Sequence, residues 1–313
     1  MRAEALRTLI DLAEDDSRIV FLTGDLGYGV VEEFFRRFPQ RAFNVGVAEQ
    51  NMLAMATGLA EAGLRPYVYS IATFASLRPF EFIRNGPVLH QLPVRIIGVG
   101  GGMEYTTNGI THLGLEDVGV LRTLPGLSII CPTDTPQTRS VLEATVDDPS
   151  PIYFRLSKQE LALIEGREPG WNLEGVDVLS NGDGSVALFA LGAAAAGLPL
   201  IERLLQEHGV RPTTVAVSRI APSPCDTLRS LAERHQLVVS VESHYLAGGL
   251  GSLLCEVIAE AGLRVRVMRC AVELSPNGIF GSVAHLAKWA KIDPVSVANR
   301  ILLALEKRPT DTR

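Results

Sequence analysis

The sequence predicts an α/β protein of two domains, the first of them built on a parallel sheet. Its 313 residues exceed one ordinary compact domain and fit two of about 150 residues each. Short apolar runs alternate with helical patterns along the chain, which is typical of parallel strands joined by helices. A stretch rich in glycine and charged residues, at 162–174, interrupts this alternation.

The first domain is predicted to span residues 1–163. Its strands follow from short apolar runs, and its helices from apolar residues spaced three and four apart. The predicted strands are Arg18 to Leu22, Arg65 to Tyr69, Val94 to Val99, Leu127 to Cys131 and Ile152 to Leu156. The predicted helices lie near 2–14, 48–62, 76–91, 115–122 and 135–146.

A linker over 164–175 and a smaller α/β domain over 176–313 complete the predicted architecture. Ligands of open α/β sheets bind beyond the carboxyl ends of the strands, so we expect the functional side chains in the loops that follow strands. The predicted elements of the second domain are strands 185–191, 213–218, 237–242 and 264–269, and helices 193–208, 224–235, 249–262 and 293–307.

Composition and charge exclude several classes of protein. With 47% hydrophobic and 20% charged residues the chain can bury sizeable cores, which excludes disorder. A net charge of −6 without a block of lysines and arginines predicts no nucleic-acid partner. No apolar run approaches the length of a membrane span, and the acidic, amphipathic N-terminal segment is unlike a signal peptide. Four scattered cysteines are expected to be reduced thiols, which predicts a cytoplasmic protein.

The first candidate functional residue is Glu49, at the start of a helix rich in small residues. A carboxylate at this place has an ordinary explanation, because the helix dipole and free amides stabilise it. Its neighbours Gly46, Ala48 and Met52 predict close apolar packing instead. A carboxylate in such a setting needs a strong hydrogen-bond partner, which is typical of a functional site.

The segment around Glu49, NVGVAEQNM, resembles the segment of transketolases and 1-deoxyxylulose-5-phosphate synthases that carries the glutamate of thiamine diphosphate enzymes. The resemblance implies thiamine diphosphate as the cofactor. It also implies that Glu49 hydrogen-bonds N1′ of the aminopyrimidine ring and promotes its imino tautomer. The 4′-nitrogen can then remove the proton from C2 of the thiazolium.

Two further segments extend the resemblance. The stretch PYVYSIATFASLRPFEFIRN is similar to the one in which a phenylalanine stacks on the aminopyrimidine, which implies Phe74 in that place and Ile71 and Tyr69 on neighbouring pocket positions. The stretch NGITHLGLEDVGV resembles the loop whose histidine faces the substrate, which implies His112 as a hydrogen-bond donor or proton carrier. A lone phenylalanine is usually core and a lone loop histidine usually solvated, but their place after Glu49 favours the functional interpretation.

The substrate is expected to meet basic side chains. The stretch FRLSKQEL resembles the segment where a basic residue of transketolase holds the substrate phosphate, which implies Lys158 there and Arg155 nearby. Arg2 matches another phosphate-contacting arginine, and Asn108 stands where the family has an acidic substrate-contacting residue. A lysine delivers charge without the two-pronged geometry of arginine, so phosphate recognition is expected to be looser.

Two more positions depart from the family. Gly100, the first glycine of the triplet 100–102, stands where transketolases have a histidine, and Gly29 aligns near a phosphate-contacting serine. These positions contact the ketose donor in the family. The departures therefore leave open a ketose other than the usual pentose phosphates, a 2-oxo acid, or a biosynthetic acyl or glycolaldehyde transfer.

The sequence also lacks the motif with which the family binds the diphosphate and Mg²⁺. Thiamine diphosphate enzymes hold Mg²⁺ with a GDG motif and a downstream asparagine, because a hard cation needs oxygen ligands to bridge the phosphates. The GDG at 182–184 has no such asparagine at the family's distance, and we interpret it as a turn. No metal ligand is expected in this chain. The diphosphate and Mg²⁺ site is expected on an N-terminal transketolase-like partner subunit, in an α2β2 heterotetramer.

The preferred hypothesis is the C-terminal subunit of a split transketolase-like enzyme, which moves a two-carbon ketol unit from a ketose to an aldose. One alternative is an enzyme that uses 2-oxo acids, either similar to 1-deoxyxylulose-5-phosphate synthase or a dehydrogenase beta subunit. Another is a non-catalytic scaffold subunit. In the second domain, Glu242 and His244 lie in a glycine-rich segment that resembles the transketolase C-terminal domain, where strand-to-helix packing is preferred over an anion site.

Overall fold

The computed structural model describes residues 1–306, and its N-terminal domain alternates strands with helices as far as residue 156. Strands of apolar and β-branched residues such as Ile19–Thr23 are buried along their whole length, as expected for strands covered on both faces. The elements of this domain are α1 (Arg2–Asp15), β1 (Ile19–Thr23), α2 (Glu32–Arg37), β2 (Ala42–Asn44), α3 (Glu49–Glu61), β3 (Arg65–Ile71), α4 (Ala72–Ser76), α5 (Phe80–Ile83), β4 (Arg95–Val99), α6 (Asp117–Leu121), β5 (Ser128–Ile130), α7 (Thr135–Ala144) and β6 (Ile152–Leu156).

The C-terminal domain is also built from alternating strands and helices. Its elements are β7 (Val176–Ser180), β8 (Val186–Leu191), α8 (Leu198–Gln206), β9 (Thr213–Val217), β10 (Arg219–Ala221), α9 (Cys225–Ala232), β11 (Leu237–Tyr245), α10 (Leu250–Glu260), β12 (Arg266–Val272), α11 (Val283–Trp289) and α12 (Pro294–Glu306). No helix within residues 1–306 is long and apolar enough to cross a membrane.

Two mostly parallel sheets organise these elements. The larger sheet has the strand order β10-β5-β6-β4-β3-β1-β2, and the smaller has β12-β11-β8-β9-β7. Strands β7 and β10 run antiparallel to their neighbours. On one face of the larger sheet α1, α2 and α7 cover a core of their own. The core on its other face, under α3 and α6, continues into the C-terminal domain beneath α9 and α10. The two domains therefore share buried apolar surface.

Specific polar contacts also tie the domains together. Strand β10 belongs to the C-terminal half of the chain but pairs with β5 of the larger sheet. The segment predicted as a linker, 164–175, contains neither helix nor strand. It is anchored by Arg167, whose guanidinium donates to both carboxylate oxygens of Asp134 at 2.6 and 2.8 Å, with both side chains buried. An ion pair in such a dry place is two-pronged and geometrically specific.

The fold class is confirmed, and the differences from the predicted elements have local causes. The helix predicted over 76–91 is instead α4, α5 and a wide π-type turn at 84–88, because Pro79 and Pro87 interrupt the backbone hydrogen bonds. The GDG at 182–184 lies in the loop between β7 and β8, where Asp183 accepts from the amide of Ser185. The elements that the sequence did not predict are α2, β2, β7, β10 and α11.

All four cysteines are free in the described part of the chain. Cys131 and Cys270 are buried, and burial raises the pKa of the Cys131 thiol to about 12 and that of Cys270 to about 11. Both thiols therefore stay protonated and unreactive near neutral pH. Cys225, by contrast, is exposed at the start of α9.

Candidate active site

Glu49 is buried at the edge of the larger sheet where its parallel strands end. It begins α3, directly after the loop that follows β2, and it is only 3% exposed. One carboxylate oxygen accepts from the guanidinium of Arg78 at 3.0 Å, and the other lies 3.4 Å from the hydroxyl of Ser70 on β3. The free amides at the helix start add positive potential. This is the buried, partnered carboxylate that the sequence predicts.

Phe74 lies one turn before Arg78, on the short helix α4 that follows β3. The guanidinium carbon of Arg78 stands 3.9 Å from the centre of the Phe74 ring, which is stacking contact. The same ring meets the imidazole of His112 edge to face, with ring centres 5.0 Å apart. The structure thus brings Glu49, Phe74 and His112 together around Arg78.

His112 is half-buried at the end of a short 3₁₀ turn, 110–112. Partial burial and then the positive charge of Arg78 lower the pKa of His112 from its usual 6.5. The hydroxyl of Thr111 pairs with Nδ1 at 2.9 Å and fixes the ring. A neutral imidazole of this kind can accept a proton from a substrate hydroxyl or donate a hydrogen bond to it.

Tyr69 and Ile71 lie at the end of β3, next to Glu49's partner Ser70. Tyr69 is fully buried, and burial raises the pKa of its phenol. The positive charge of Arg2, at the start of α1, opposes this rise in the pKa of Tyr69. Tyr69 and Ile71 thus flank the partner of Glu49, although Tyr69 is covered by the protein, and their contact with the cofactor stays a prediction.

Lys158 and Tyr105 lie next to His112 in the candidate site. The ammonium of Lys158 lies 4.1 Å from the centre of the Tyr105 ring, and that ring is 6.4 Å from the ring of His112. Glu104 fixes this corner, since its carboxylate accepts from the hydroxyl of Ser157 at 2.5 Å and from the amide of Lys158 at 2.6 Å. Burial raises the pKa of Glu104.

The three glycines 100–102 make room for side chains of the site and of the domain interface. A β-carbon on Gly100 would overlap the Tyr105 ring, one on Gly101 would overlap the guanidinium of Arg155, and one on Gly102 would overlap Ser243. Gly100 and Gly102 also have positive φ angles, at 73° and 71°, which favour glycine. Tyr105 therefore fills space beside the position where transketolases carry a histidine.

The structure gives Arg155 a structural role rather than the predicted contact with substrate. Its Nε donates to the buried carboxylate of Asp117 at 2.8 Å, and Nη2 donates to the carbonyls of Gly114 and Ser243 at 2.8 and 2.9 Å. Its side chain is 8% exposed. These bonds join the loop that follows His112 to the C-terminal domain and leave those donors committed within the chain.

Asn108 is exposed on a loop, whereas Glu242 and His244 of the C-terminal domain bond to backbone amides within the chain. Asn108 is exposed on the loop before His112, where its amide oxygen pairs with the Thr107 hydroxyl at 3.3 Å. Glu242 caps α10 through the amides of Leu250 and Gly251 at 2.7 and 2.8 Å. His244 accepts from the amide of Gly119 at 3.1 Å, which joins the two domains. Packing accounts for both C-terminal side chains, as the sequence predicts.

Two residues of the site were missed at the sequence level. Arg78 falls inside the stretch quoted for Phe74, and its spacing of one helical turn is the signal that could have found it. Tyr105 follows the glycine triplet, which is itself a sign of close approach by a side chain. Within residues 1–306 no group of three His, Cys, Asp or Glu side chains converges to hold a metal ion.

Comparison with known proteins agrees with this geometry. Residues 1–163 match the family model for the transketolase pyrimidine-binding domain, and 176–297 match that for the transketolase C-terminal domain. The chain belongs to the transketolase family. It is 31% identical to a putative transketolase C-terminal section of Methanocaldococcus jannaschii, covering 98% of this chain and 96% of that protein. Membership of this family implies thiamine diphosphate as the cofactor.

Other transketolase relatives match along almost the whole chain. A subunit of the apulose-4-phosphate transketolase of Phocaeicola vulgatus is 31% identical, with 96% of each chain covered. A solved structure, described as a split gene transketolase in an inactive beta4 tetramer, has a TM-score of 0.87 and 29% identity over 98% of this chain and 99% of its own. A 1-deoxy-D-xylulose-5-phosphate synthase of Methylacidiphilum infernorum is 33% identical over 84% of this chain, but only 42% of that protein is covered. The chain is thus the C-terminal section of a transketolase-type transferase.

The residues on this chain fit one end of the cofactor. A buried carboxylate beside a half-buried aromatic ring suits a flat heteroaromatic ring with a nitrogen that can be protonated. Gly24 leaves the far side of the carboxylate open, since a β-carbon there would lie 3.2 Å from the carbonyl of Gly46 and 4.0 Å from Glu49. The aminopyrimidine end of thiamine diphosphate therefore fits Glu49 and Phe74.

Proposed function

We propose that this chain supplies the aminopyrimidine half of the active site in a split transketolase. The other half, with the diphosphate and Mg²⁺ site, is contributed by an N-terminal partner subunit, and the two chains form an α2β2 heterotetramer. The observation that carries the proposal is the buried Glu49 carboxylate beside Phe74, in a chain whose residues 1–306 contain no cluster of three His, Cys, Asp or Glu side chains that could hold the Mg²⁺ ion. The enzyme moves a two-carbon ketol unit from a ketose to an aldose.

Glu49 and Phe74 act on the cofactor ring. When bound, thiamine diphosphate supplies the nucleophilic carbon that attacks the donor carbonyl and carries the two-carbon unit. Glu49 would hydrogen-bond the ring nitrogen that can be protonated, and its burial would make this interaction strong because water does not compete. Phe74 holds the ring plane by stacking. Both side chains sit on regular elements, α3 and α4, so their separation is fixed by the fold.

His112 acts on the substrate. Because its pKa is lowered, the imidazole is neutral near pH 7 and can take a proton from the donor hydroxyl as the carbon–carbon bond breaks. Its edge-to-face contact with the Phe74 ring, which is proposed to hold the cofactor, supports this role. Asn108, exposed on the same loop, is proposed to meet the hydroxyls of the sugar.

Lys158 and Arg2 are proposed to hold the anionic end of the substrate. The ammonium of Lys158 contacts the Tyr105 ring, which also lies near His112, and the positive charge of Arg2 lowers the pKa of both Tyr69 and Tyr105 against the effect of burial. Two cations at one end of a pocket favour a phosphate or a similar anion. The single-point charge of Lys158, and the commitment of Arg155 to bonds within the chain, predict a modest preference for phosphorylated sugars.

The test uses the chain reconstituted with the product of the neighbouring reading frame. Glu49→Gln is expected to lower kcat by about 10²- to 10⁴-fold, the usual contribution of a proton-transfer group. The matched control is Glu61→Gln, at the exposed far end of the same helix, which keeps wild-type kcat. Full activity of Glu49→Gln in a folded complex would contradict the proposal.

A second experiment separates the proposed donor from a 2-oxo acid. The likeness to 1-deoxy-D-xylulose-5-phosphate synthases favours pyruvate as the rival donor. The reconstituted complex is assayed with ketose phosphates and with pyruvate, each with an aldose acceptor. We expect turnover with a ketose and none with pyruvate. For a phosphorylated ketose, Lys158→Met should raise KM and leave kcat nearly unchanged. Turnover of pyruvate alone would replace the ketol transfer with a decarboxylating reaction.

A further inference from the structure

Arg78 makes two contacts that the proposed function assigns to the cofactor. Its guanidinium stacks on the Phe74 ring at 3.9 Å and donates to the Glu49 carboxylate at 3.0 Å. The aminopyrimidine ring is expected to do both, stacking on Phe74 and hydrogen-bonding Glu49. A guanidinium is, like that ring, a flat group with N–H donors at its edge. One face of Phe74 and one edge of Glu49 can serve a single flat group at a time.

We propose that Arg78 occupies the aminopyrimidine position in the free subunit and competes with the cofactor for Glu49. The inference rests on the proposed function. It adds that cofactor affinity is set partly by an internal competitor, and that the pocket opens only when the Arg78 side chain leaves it.

The surroundings of Arg78 allow this exchange. Its side chain is 46% exposed, whereas that of Glu49 is 2% exposed, so the arginine can move into water and the glutamate cannot. The Arg78 backbone is held in place, since the Gln50 amide donates to its carbonyl at 3.3 Å. The exchange therefore needs a change of side-chain rotamer and no movement of α4. An unpaired buried carboxylate is costly, so Glu49 keeps a partner in both states.

The experiment measures the Kd of thiamine diphosphate, with Mg²⁺ present, for the reconstituted complex by isothermal titration calorimetry. Arg78→Met keeps the apolar stem and removes the guanidinium. We expect the Kd of thiamine diphosphate for this variant to be about tenfold lower than for wild type. A change of this size lies between the free energy of an exposed ion pair and that of a hydrogen bond to a charged group. The matched control is Arg84→Met, an exposed arginine in the following turn whose side chain pairs with Asn85; its Kd should equal that of wild type.

A readout on the isolated chain accompanies the titration. The substitution leaves Glu49 without its cation, so the isolated Arg78→Met chain should have a lower Tm than the isolated wild-type chain. In the reconstituted complex, cofactor binding should raise the Tm of Arg78→Met by more than it raises that of wild type. If Arg78→Met does not fold, Arg78→Lys serves instead. It keeps a cation but loses the flat group, and its Kd should lie below that of wild type.

The outcomes are distinct. An unchanged Kd in a folded variant overturns the competition, and a raised Kd overturns it too, because Arg78 would then hold the cofactor instead of displacing it. If the wild-type complex itself does not bind thiamine diphosphate, the proposed function fails and this inference fails with it. If wild type binds and Arg78→Met matches it, the proposed function stands alone.

Discussion

Replacing Asp117 by asparagine should destabilise the chain, because it removes the charge that balances a buried arginine. Asp117 is fully buried, and one of its oxygens accepts from Arg155 Nε and from the Tyr153 hydroxyl, each at 2.8 Å. Burial, and then the negative charge of Asp117, raise the pKa of Tyr153. Burial alone would lower the pKa of Arg155, but the charge and hydrogen bond of Asp117, together with the neighbouring Cys131 and Tyr153, raise it overall.

The size of the effect follows from this geometry. Asparagine keeps an oxygen for one donor but leaves the Arg155 charge uncompensated in a dry interior. Breaking a buried pair from one side costs about 3–5 kcal/mol, and we expect Asp117→Asn to lower the free energy of unfolding by about that amount. The matched control is Asp226→Asn, where the carboxylate is 92% exposed and pairs with Arg229 at 3.1 Å. Its change should stay below about 1 kcal/mol.

Urea unfolding, followed in parallel by tryptophan fluorescence and far-ultraviolet circular dichroism, measures both variants. Coincident transitions allow the two free energies of unfolding to be compared. If Asp117→Asn costs less than about 1 kcal/mol, or no more than Asp226→Asn, the buried pair is not what holds the domains at this point.

The remaining predictions concern the site itself. Gly100→Ala should lower the free energy of unfolding by about 1–3 kcal/mol more than Gly209→Ala does. Both glycines have positive φ angles, but only a β-carbon at position 100 would overlap a neighbouring ring, that of Tyr105. Equal losses in urea unfolding would contradict this overlap. The pKa of His112, followed by NMR in the isolated chain, should lie below 6.5 and rise in Arg78→Met, since a nearby positive charge is removed; a value that does not move would exclude that coupling. Phe74→Leu should raise the Kd of thiamine diphosphate about 2- to 12-fold, the share of an aromatic stack, and an unchanged Kd would remove Phe74 from the cofactor site.

The sequence predicts the regular part of the fold and misses what depends on long-range pairing. Short, mostly apolar runs such as Ile152–Leu156 identify buried strands by composition alone. Strand β2 has three residues, too few for a periodic signal. Strand β10 follows β9 closely but pairs with β5, a strand far earlier in the chain, and no local pattern encodes that partner.

The residues of the candidate site were likewise predicted only in part. Glu49, Phe74 and His112 lie in segments with a strong family resemblance, and the structure brings them together. Arg155 was assigned to substrate because of its type and position, but a buried aspartate 38 residues away takes its charge. Arg78 was missed because its role depends on which two side chains its guanidinium bridges, and that is known only after folding.

Binding of thiamine diphosphate to separated and combined chains tests the central claim most directly. Calorimetric titration with Mg²⁺ is done on this chain alone, on the product of the neighbouring reading frame alone, and on the two together. The account predicts tight, Mg²⁺-dependent binding only for the combination, because each chain carries half of the site. Tight, Mg²⁺-dependent binding by this chain alone would contradict it.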